Sequence, residues 1–302
     1  MQGVAKLERG EGNVGLLDVP VTEVTPGHVL IEVVAAGVCG TDIHIYHDEY
    51  ASNPPVIMGH EVAGAIAEVG AGVTNCKTGD RVTAETYFSV CHQCEYCRSG
   101  WPNLCLQRQS IGTHVHGGFT QYVLVPAYNI HHLPANVDEI SGSLSEPLTC
   151  CVHAFEQTHV EPGEIVVVSG PGAIGLLMAQ VVKAAGAYTV VLGTTADEAR
   201  LALARELGVD LILDVQAKNA QNTIKELTDG LGADVVFECS GAAPSAQSCL
   251  ELVRRRGRYG QVGLFGKPIQ LDVDLICFKE LALHGKFAHV PGAWRKALAL
   301  MS

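Results

Sequence analysis

Along the first half of the chain, apolar residues come in short β-branched runs bounded by glycine or proline. GHVLIEVVAAGV at 27–38 and the stretches around 62–69 and 121–125 read as strands separated by long loops. From about residue 163 the rhythm changes. Apolar runs at 164–169, 188–192, 210–214, 234–238, 258–264 and 281–285 alternate with helix-like segments such as 174–185 and 197–207. Strand and helix in alternation predict a doubly wound parallel sheet, so the chain reads as α/β, with a strand-rich first domain. No internal repeat or low-complexity tract interrupts this pattern.

Composition agrees with two folded domains. Of 302 residues, 47% are hydrophobic and 17% charged, enough to bury a large core. Lys plus Arg is 20 and Asp plus Glu 32, a formal charge of −12, which disfavours nucleic acid as a partner. The opening MQGVAKLERGEGNVG has no basic stretch leading into an apolar run, and no segment reaches about 18 uninterrupted apolar residues. No membrane association is expected, and the chain reads as cytoplasmic. Arg254, Arg255, Arg256 and Arg258 fall between a helix-like segment and a strand, and are expected to form a solvated helix end.

Eleven cysteines divide into one dense cluster and scattered single residues. Cys91, Cys94, Cys97 and Cys105 follow a C-x2-C-x2-C-x7-C spacing, which lets successive thiolates converge on one ion. Four sulfurs close a tetrahedral shell, so a zinc bound there would be structural; a disulfide pair and an iron–sulfur cluster are the competing readings. Cys76, Cys150, Cys151, Cys239, Cys249 and Cys277 are expected to be small buried hydrophobes.

A second constellation is spread more widely: Cys39 in GVCGTD, His60 and Glu61 in MGHE, and Glu146 in SEPL. A catalytic zinc takes about three protein ligands of these types and keeps one exchangeable position. In the second half, Gly170, Gly172 and Gly175 form G-x-G-x-x-G between a strand and a helix, with Ala173 and Ile174 inside the turn. That arrangement seats a dinucleotide pyrophosphate on a helix N-terminus. The ribose-binding acid of NAD-specific sites is due about 20 residues later. Gly193, Thr194 and Thr195 stand there instead, and Thr195 with Glu198 reads as a capping box that puts Asp197 in the first helical turn. The cofactor is therefore NAD or NADP.

GVCGTDIH, GHE, the four-cysteine lobe, EPL and GPGAIG, in this order, resemble the zinc-containing medium-chain dehydrogenase family. The polyol (sorbitol and butanediol) and threonine dehydrogenase branch is the most similar. The resemblance implies a GroES-like catalytic domain at 1–147, a Rossmann domain at 148–286, and a segment at 287–302 that starts back toward the catalytic domain. It also implies further residues beyond Ser302, so the chain reads as either naturally short or truncated, with the return segment missing.

By the same resemblance, Cys39, His60 and either Glu61 or Glu146 hold a catalytic zinc, giving two zinc ions per chain. Thr41 and His44 resemble a proton relay; a turn hydroxyl and a surface histidine are the plainer readings. The implied reaction is reversible hydride transfer between a nicotinamide cofactor and a secondary alcohol or polyol. A 3-hydroxy amino acid dehydrogenase, a catalytically silent relative and a zinc-free reductase are the alternatives. A dimer or tetramer through the dinucleotide-binding sheet is implied as well.

Overall fold

The computed structural model describes residues 1–302. The chain divides into two compact units, one made of Met1–Thr149 with His289–Ser302 and the other of Cys150–Ala288.

The first unit is built on a five-stranded sheet in the order Ile130–His132, Arg81–Ala84, Glu61–Val69, His28–Gly37, Tyr122–Pro126, antiparallel throughout. Val29, Ile31, Val62, Ile66, Val82, Val123 and Val125 are all but inaccessible and form its core. Burying each such side chain stabilises the fold by about 1.5–3 kcal/mol relative to leaving it exposed. A smaller sheet pairs Val14–Asp18, Gln2–Lys6 and Val56–Ile57. In the main sheet Gly37, at the end of one central strand, is paired with Glu61 at the start of the next. That register brings Cys39 and His60 to the same end of the sheet.

The closing helix Pro291–Met301 buries Trp294 completely and packs Leu298 and Met301 against Ala63, Leu133 and Val137. Its apolar face, not its charged residues, anchors the last stretch of chain.

The second unit is a six-stranded parallel sheet in the order Leu211–Asp214, Tyr188–Gly193, Ile165–Ser169, Ala233–Glu238, Val253–Gln261, Ala282–Gly285. Numbered along the chain, the strands run 3-2-1-4-5-6, the doubly wound arrangement. Val166, Val167 and Val168 are fully buried in succession, as expected of a central parallel strand covered on both faces.

Two expectations are corrected here. The arginine run is not a solvated helix end: the strand Val253–Gln261 begins before it. Arg255 and Arg256 are exposed, and three of the four charges have partners. Arg254 Nε donates to Asp234 at 2.6 Å, Arg255 to the Phe278 carbonyl at 2.9 Å, and Arg258 to Glu164 and the His159 carbonyl. Of the six cysteines expected to be buried, Cys151 and Cys249 are, Cys76, Cys150 and Cys239 are half-buried, and Cys277 is exposed on the short helix Asp274–Phe278. No helix is long and apolar enough to cross a membrane.

Candidate active site and metal centres

Cys39 caps the N-terminus of the helix Gly40–Tyr46. Asp42, in the first turn, accepts the Cys39 backbone N–H at 2.9 Å through one carboxylate oxygen and the Gly59 N–H at 3.3 Å through the other. One buried side chain thus ties the segment carrying Cys39 to the segment carrying His60. Burial raises the Asp42 carboxyl above its ordinary range, with His60 pulling it back.

Cys39 Sγ, a ring nitrogen of His60 and a carboxylate oxygen of Glu61 lie within 4.8 Å of one another. His60 and Glu61 are buried and Cys39 is half-buried. Room for the Glu61 carboxylate comes from Gly37, where a Cβ would stand 2.1 Å from Glu61 Oε2. Burial, followed by the neighbouring Glu146, pushes Glu61 up to about 7. At His60 burial opposes protonation, yet Cys39, Glu146 and Asp42 carry the imidazole well above the usual histidine range. The buried Nδ1 of His60 has no hydrogen-bond partner. A half-buried thiol with a buried imidazole and a buried carboxylate, within reach of one ion, fits the donor set of an open zinc site.

Glu146 begins the helix Ser145–Thr158 and stands outside the 4.8 Å group, but near enough for its charge to act on both His60 and Glu61. Thr41 and His44 are three residues apart on the Cys39 helix and so share one of its faces. His44 Nδ1 is 2.7 Å from Glu49 Oε2.

The second metal-ligand group is the four-cysteine lobe. The sulfurs of Cys91, Cys94, Cys97 and Cys105 lie within 4.8 Å of one another, none in a disulfide. Those of Cys91 and Cys97 are 3.9 Å apart. Tetrahedral zinc with bonds of about 2.3 Å requires about 3.8 Å between sulfurs. Backbone N–H groups of Cys94, Cys97 and Cys91 donate to the sulfurs of Cys91, Cys94 and Cys105 at 3.3, 3.5 and 3.4 Å. Donation by the Gln93 and Cys94 N–H groups holds the Cys91 thiol down at about 6, whereas burial and neighbouring sulfurs push Cys97 up to about 12. Such a cluster ionises fully only around a cation.

In the second unit Gly170, with φ +101°, turns the chain beside Ser240, and Gly175 lets the helix Ala173–Ala184 approach so closely that a Cβ would stand 1.8 Å from the Gly170 carbonyl oxygen. Gly172 caps that helix without a side-chain hydrogen bond, and nothing lies within 4 Å of where its Cβ would be. The first-turn N–H groups of Ala173, Ile174 and Gly175 therefore open onto a cradle suited to pyrophosphate.

At the end of the second strand, the expected Thr195–Glu198 capping box is replaced by one between Thr194 and Asp197, closing a short 3-10 turn before the helix Glu198–Glu206. Asp197 accepts from Thr194 N–H and Oγ1 at 3.0 and 2.8 Å and from Arg200 at 2.8 Å, while Thr195 Oγ1 is drawn to Asp214 at 2.7 Å. The absence of an acid at 193 is a packing requirement. A Cβ on Gly193 would meet Pro171 at 2.9 Å and Leu201 at 3.1 Å.

Residues 25–135 match the family model of the alcohol dehydrogenase GroES-like domain, and residues 173–302 that of the zinc-binding dehydrogenases. Sorbitol dehydrogenase of Halalkalibacterium halodurans is 44% identical over all of this chain and 88% of its own length. D-arabitol-phosphate dehydrogenase of Enterococcus avium is 42% identical over all of this chain and 87% of its own. L-threonine 3-dehydrogenases follow at 34 to 38%. Among solved structures, a zinc-binding dehydrogenase from Sinorhizobium meliloti bound to NADP superposes with a TM-score of 0.90 at 32% identity, covering 99% of this chain and 87% of that one.

The chain belongs to the zinc-containing medium-chain dehydrogenase family. It falls in the polyol and threonine dehydrogenase branch, and its two domains are the GroES-like and Rossmann folds of that family. It is accordingly a zinc-dependent, NAD(P)-dependent oxidoreductase.

Two residues of this dehydrogenase's metal region escaped the sequence reading. Asp42 carries a local signal, an acid three residues after an N-cap, and could have been found. His289 carries none: it stands 3.6 Å from Glu146 although 143 positions later.

Proposed function

We propose that the chain oxidises a secondary alcohol or polyol to the ketone, reversibly, at a zinc held by Cys39, His60 and one of Glu61 and Glu146, with NAD or NADP at the Gly170–Gly175 turn. The observation that carries this reading is the convergence of the Cys39 thiol, a ring nitrogen of His60 and the Glu61 carboxylate within 4.8 Å of one another. A zinc ion there supplies Lewis acidity that frees the proton of an alcohol near neutral pH, and the dinucleotide supplies the hydride acceptor.

The protein's own residues do the rest. Asp42 fixes the two ligand-bearing segments. Thr41 and His44, on one helix face, are the proposed route for the proton, which Glu49 then takes toward solvent. The four cysteines at 91–105 are proposed to hold the second, structural zinc. Gly193, Thr194 and Thr195 are proposed to face the adenosine ribose, where the lack of an acid at 193 leaves both NAD and NADP admissible.

The more similar relatives act on sorbitol and D-arabitol phosphate, which supports a polyol or its phosphate over threonine. The single-residue cysteines and the metal-type cluster support a reducing, cytoplasmic setting. The edge strand Ala282–Gly285, with Leu283 exposed, supports a homo-oligomer joined through the sheet.

Metal analysis of protein purified without chelator tests the core of the reading. Wild type is expected to hold two zinc ions. Cys39→Ser is expected to hold one, to keep its fold, and to lose oxidation of a sorbitol, arabitol phosphate, butanediol and threonine panel by about three orders of magnitude, ~4 kcal/mol in the barrier. An unfolded Cys39→Ser would reverse the assignment of the structural and catalytic sites.

A further inference from the structure

His289 is fully buried and has no part in the proposed zinc ligation or proton route. Its backbone is clamped by Tyr87, whose hydroxyl donates to the His289 carbonyl and accepts its N–H, and the two rings lie 4.6 Å apart. Trp294 Nε1–H donates to His289 Nδ1 at 3.0 Å. Nε2, on the other side of the ring, is 3.3 Å from Thr86 Oγ1, 3.5 Å from Thr86 N and 3.6 Å from Glu146 Oε1.

The tautomer follows from this geometry. An indole N–H only donates, so Nδ1 must accept, and a neutral imidazole then carries its proton on Nε2. The Thr86 N–H also points toward Nε2, but at 3.5 Å it is the weaker claim and yields to the 3.0 Å bond from Trp294. Nε2–H is thus held toward the Thr86 hydroxyl and the Glu146 carboxylate. At 3.6 Å the interaction with Oε1 is electrostatic, short of a full hydrogen bond.

We infer that His289 is a positioning residue for Glu146: a neutral ring, locked by Trp294 with its proton on Nε2, orients the Glu146 carboxylate toward the open metal site. The inference rests on the proposal that Cys39, His60, Glu61 and Glu146 surround a zinc. Carboxylates at metal sites are commonly oriented by a further hydrogen-bond donor, and losing that donor costs about 10–100-fold in metal affinity.

Release of zinc to a colorimetric chelator from the holoenzyme tests it, because the four-cysteine zinc serves as an internal reference for folding. His289→Leu is expected to speed release from the open site about 10–100-fold while the four-cysteine site releases at the wild-type rate. His289→Gln, whose amide N–H reaches about as far as Nε2, is expected to recover most of the loss. Trp294→Phe keeps the bulk but not the donor, and is expected to act like a milder His289→Leu.

A merely structural role would speed both sites together and would not be rescued by Gln. If His289→Leu misfolds, Trp294→Phe decides, and unchanged open-site release in that variant overturns the inference. So does a folded His289→Leu that releases both ions as wild type does, or a ring ¹⁵N spectrum with the proton on Nδ1. Wild type holding only the four-cysteine zinc would instead defeat the metal reading, and this inference with it.

Discussion

Gly37 has no side chain because the Glu61 carboxylate fills the place where one would stand, 2.1 Å from Oε2 and 3.2 Å from Cβ. Glu61 is buried and cannot swing into solvent to relieve the overlap. Gly37→Ala is therefore expected to displace the ligand and not the strand. Zinc affinity at the open site should fall about 10–100-fold, with an overpacking cost of about 1–3 kcal/mol. Zinc titration and urea denaturation measure the two effects separately, and an unchanged affinity would remove Glu61 from the ligand set. Asp42 works at the same scale, spanning from Cys39 to Gly59 with its two oxygens. GVCGTD and GHE show which residues are available, but only the folded backbone shows that one carboxylate joins the two motifs.

Among the elements, the helix Ser145–Thr158 carries two burdens. Glu146 lies in its first turn, where the helix dipole favours an acid. His153, two turns later, is buried, and burial, with Lys286 adding to it, depresses its imidazole to about 4. Between the unfolded value near 6.5 and the folded value, the unfolded chain binds the proton and the folded one does not. The stabilisation is complete above about pH 6.5 and drains away as pH falls toward 4, by up to about 3 kcal/mol. Urea midpoints of wild type and His153→Gln at pH 7 and pH 4.5 check this: the variant should be less stable at pH 7 and lose less on acidification. Equal losses would show that His153 contributes nothing to acid lability.

The four-cysteine lobe is the opposite kind of element. Its ligands lie within fifteen residues, on a loop with the single-turn helix Glu95–Arg98 and the 3-10 turn Pro102–Leu104. Its geometry is therefore set almost entirely by local spacing. The arginine run reads differently in the fold because it is made a strand by pairing with Ala233–Glu238 and Ala282–Gly285, and its Arg254 and Arg258 are met by Asp234 and Glu164, all outside the local pattern.

For the whole molecule, both candidate metal sites belong to the unit of Met1–Thr149 and His289–Ser302, while the glycine turn belongs to Cys150–Ala288. Removing metal with a strong chelator should consequently raise amide hydrogen exchange at 91–105 and around Cys39 and His60, and leave the six-stranded sheet as protected as before. Uniform loss of protection throughout the chain would contradict independent metal dependence of the first unit.

What the sequence determined by itself is everything whose cause is local. The change of rhythm near 163, the four-cysteine spacing and the strand–glycine turn–helix of 165–184 each depend on residues a few positions apart, where periodicity and turn chemistry act directly. Only the tertiary structure brought Glu61 within 4.8 Å of Cys39 and His60, showed what a side chain at 193 would meet, and set His289, held by Trp294, beside Glu146. Those juxtapositions join residues tens to more than a hundred positions apart. They are fixed by sheet register and by the docking of the last helix, which no local pattern encodes.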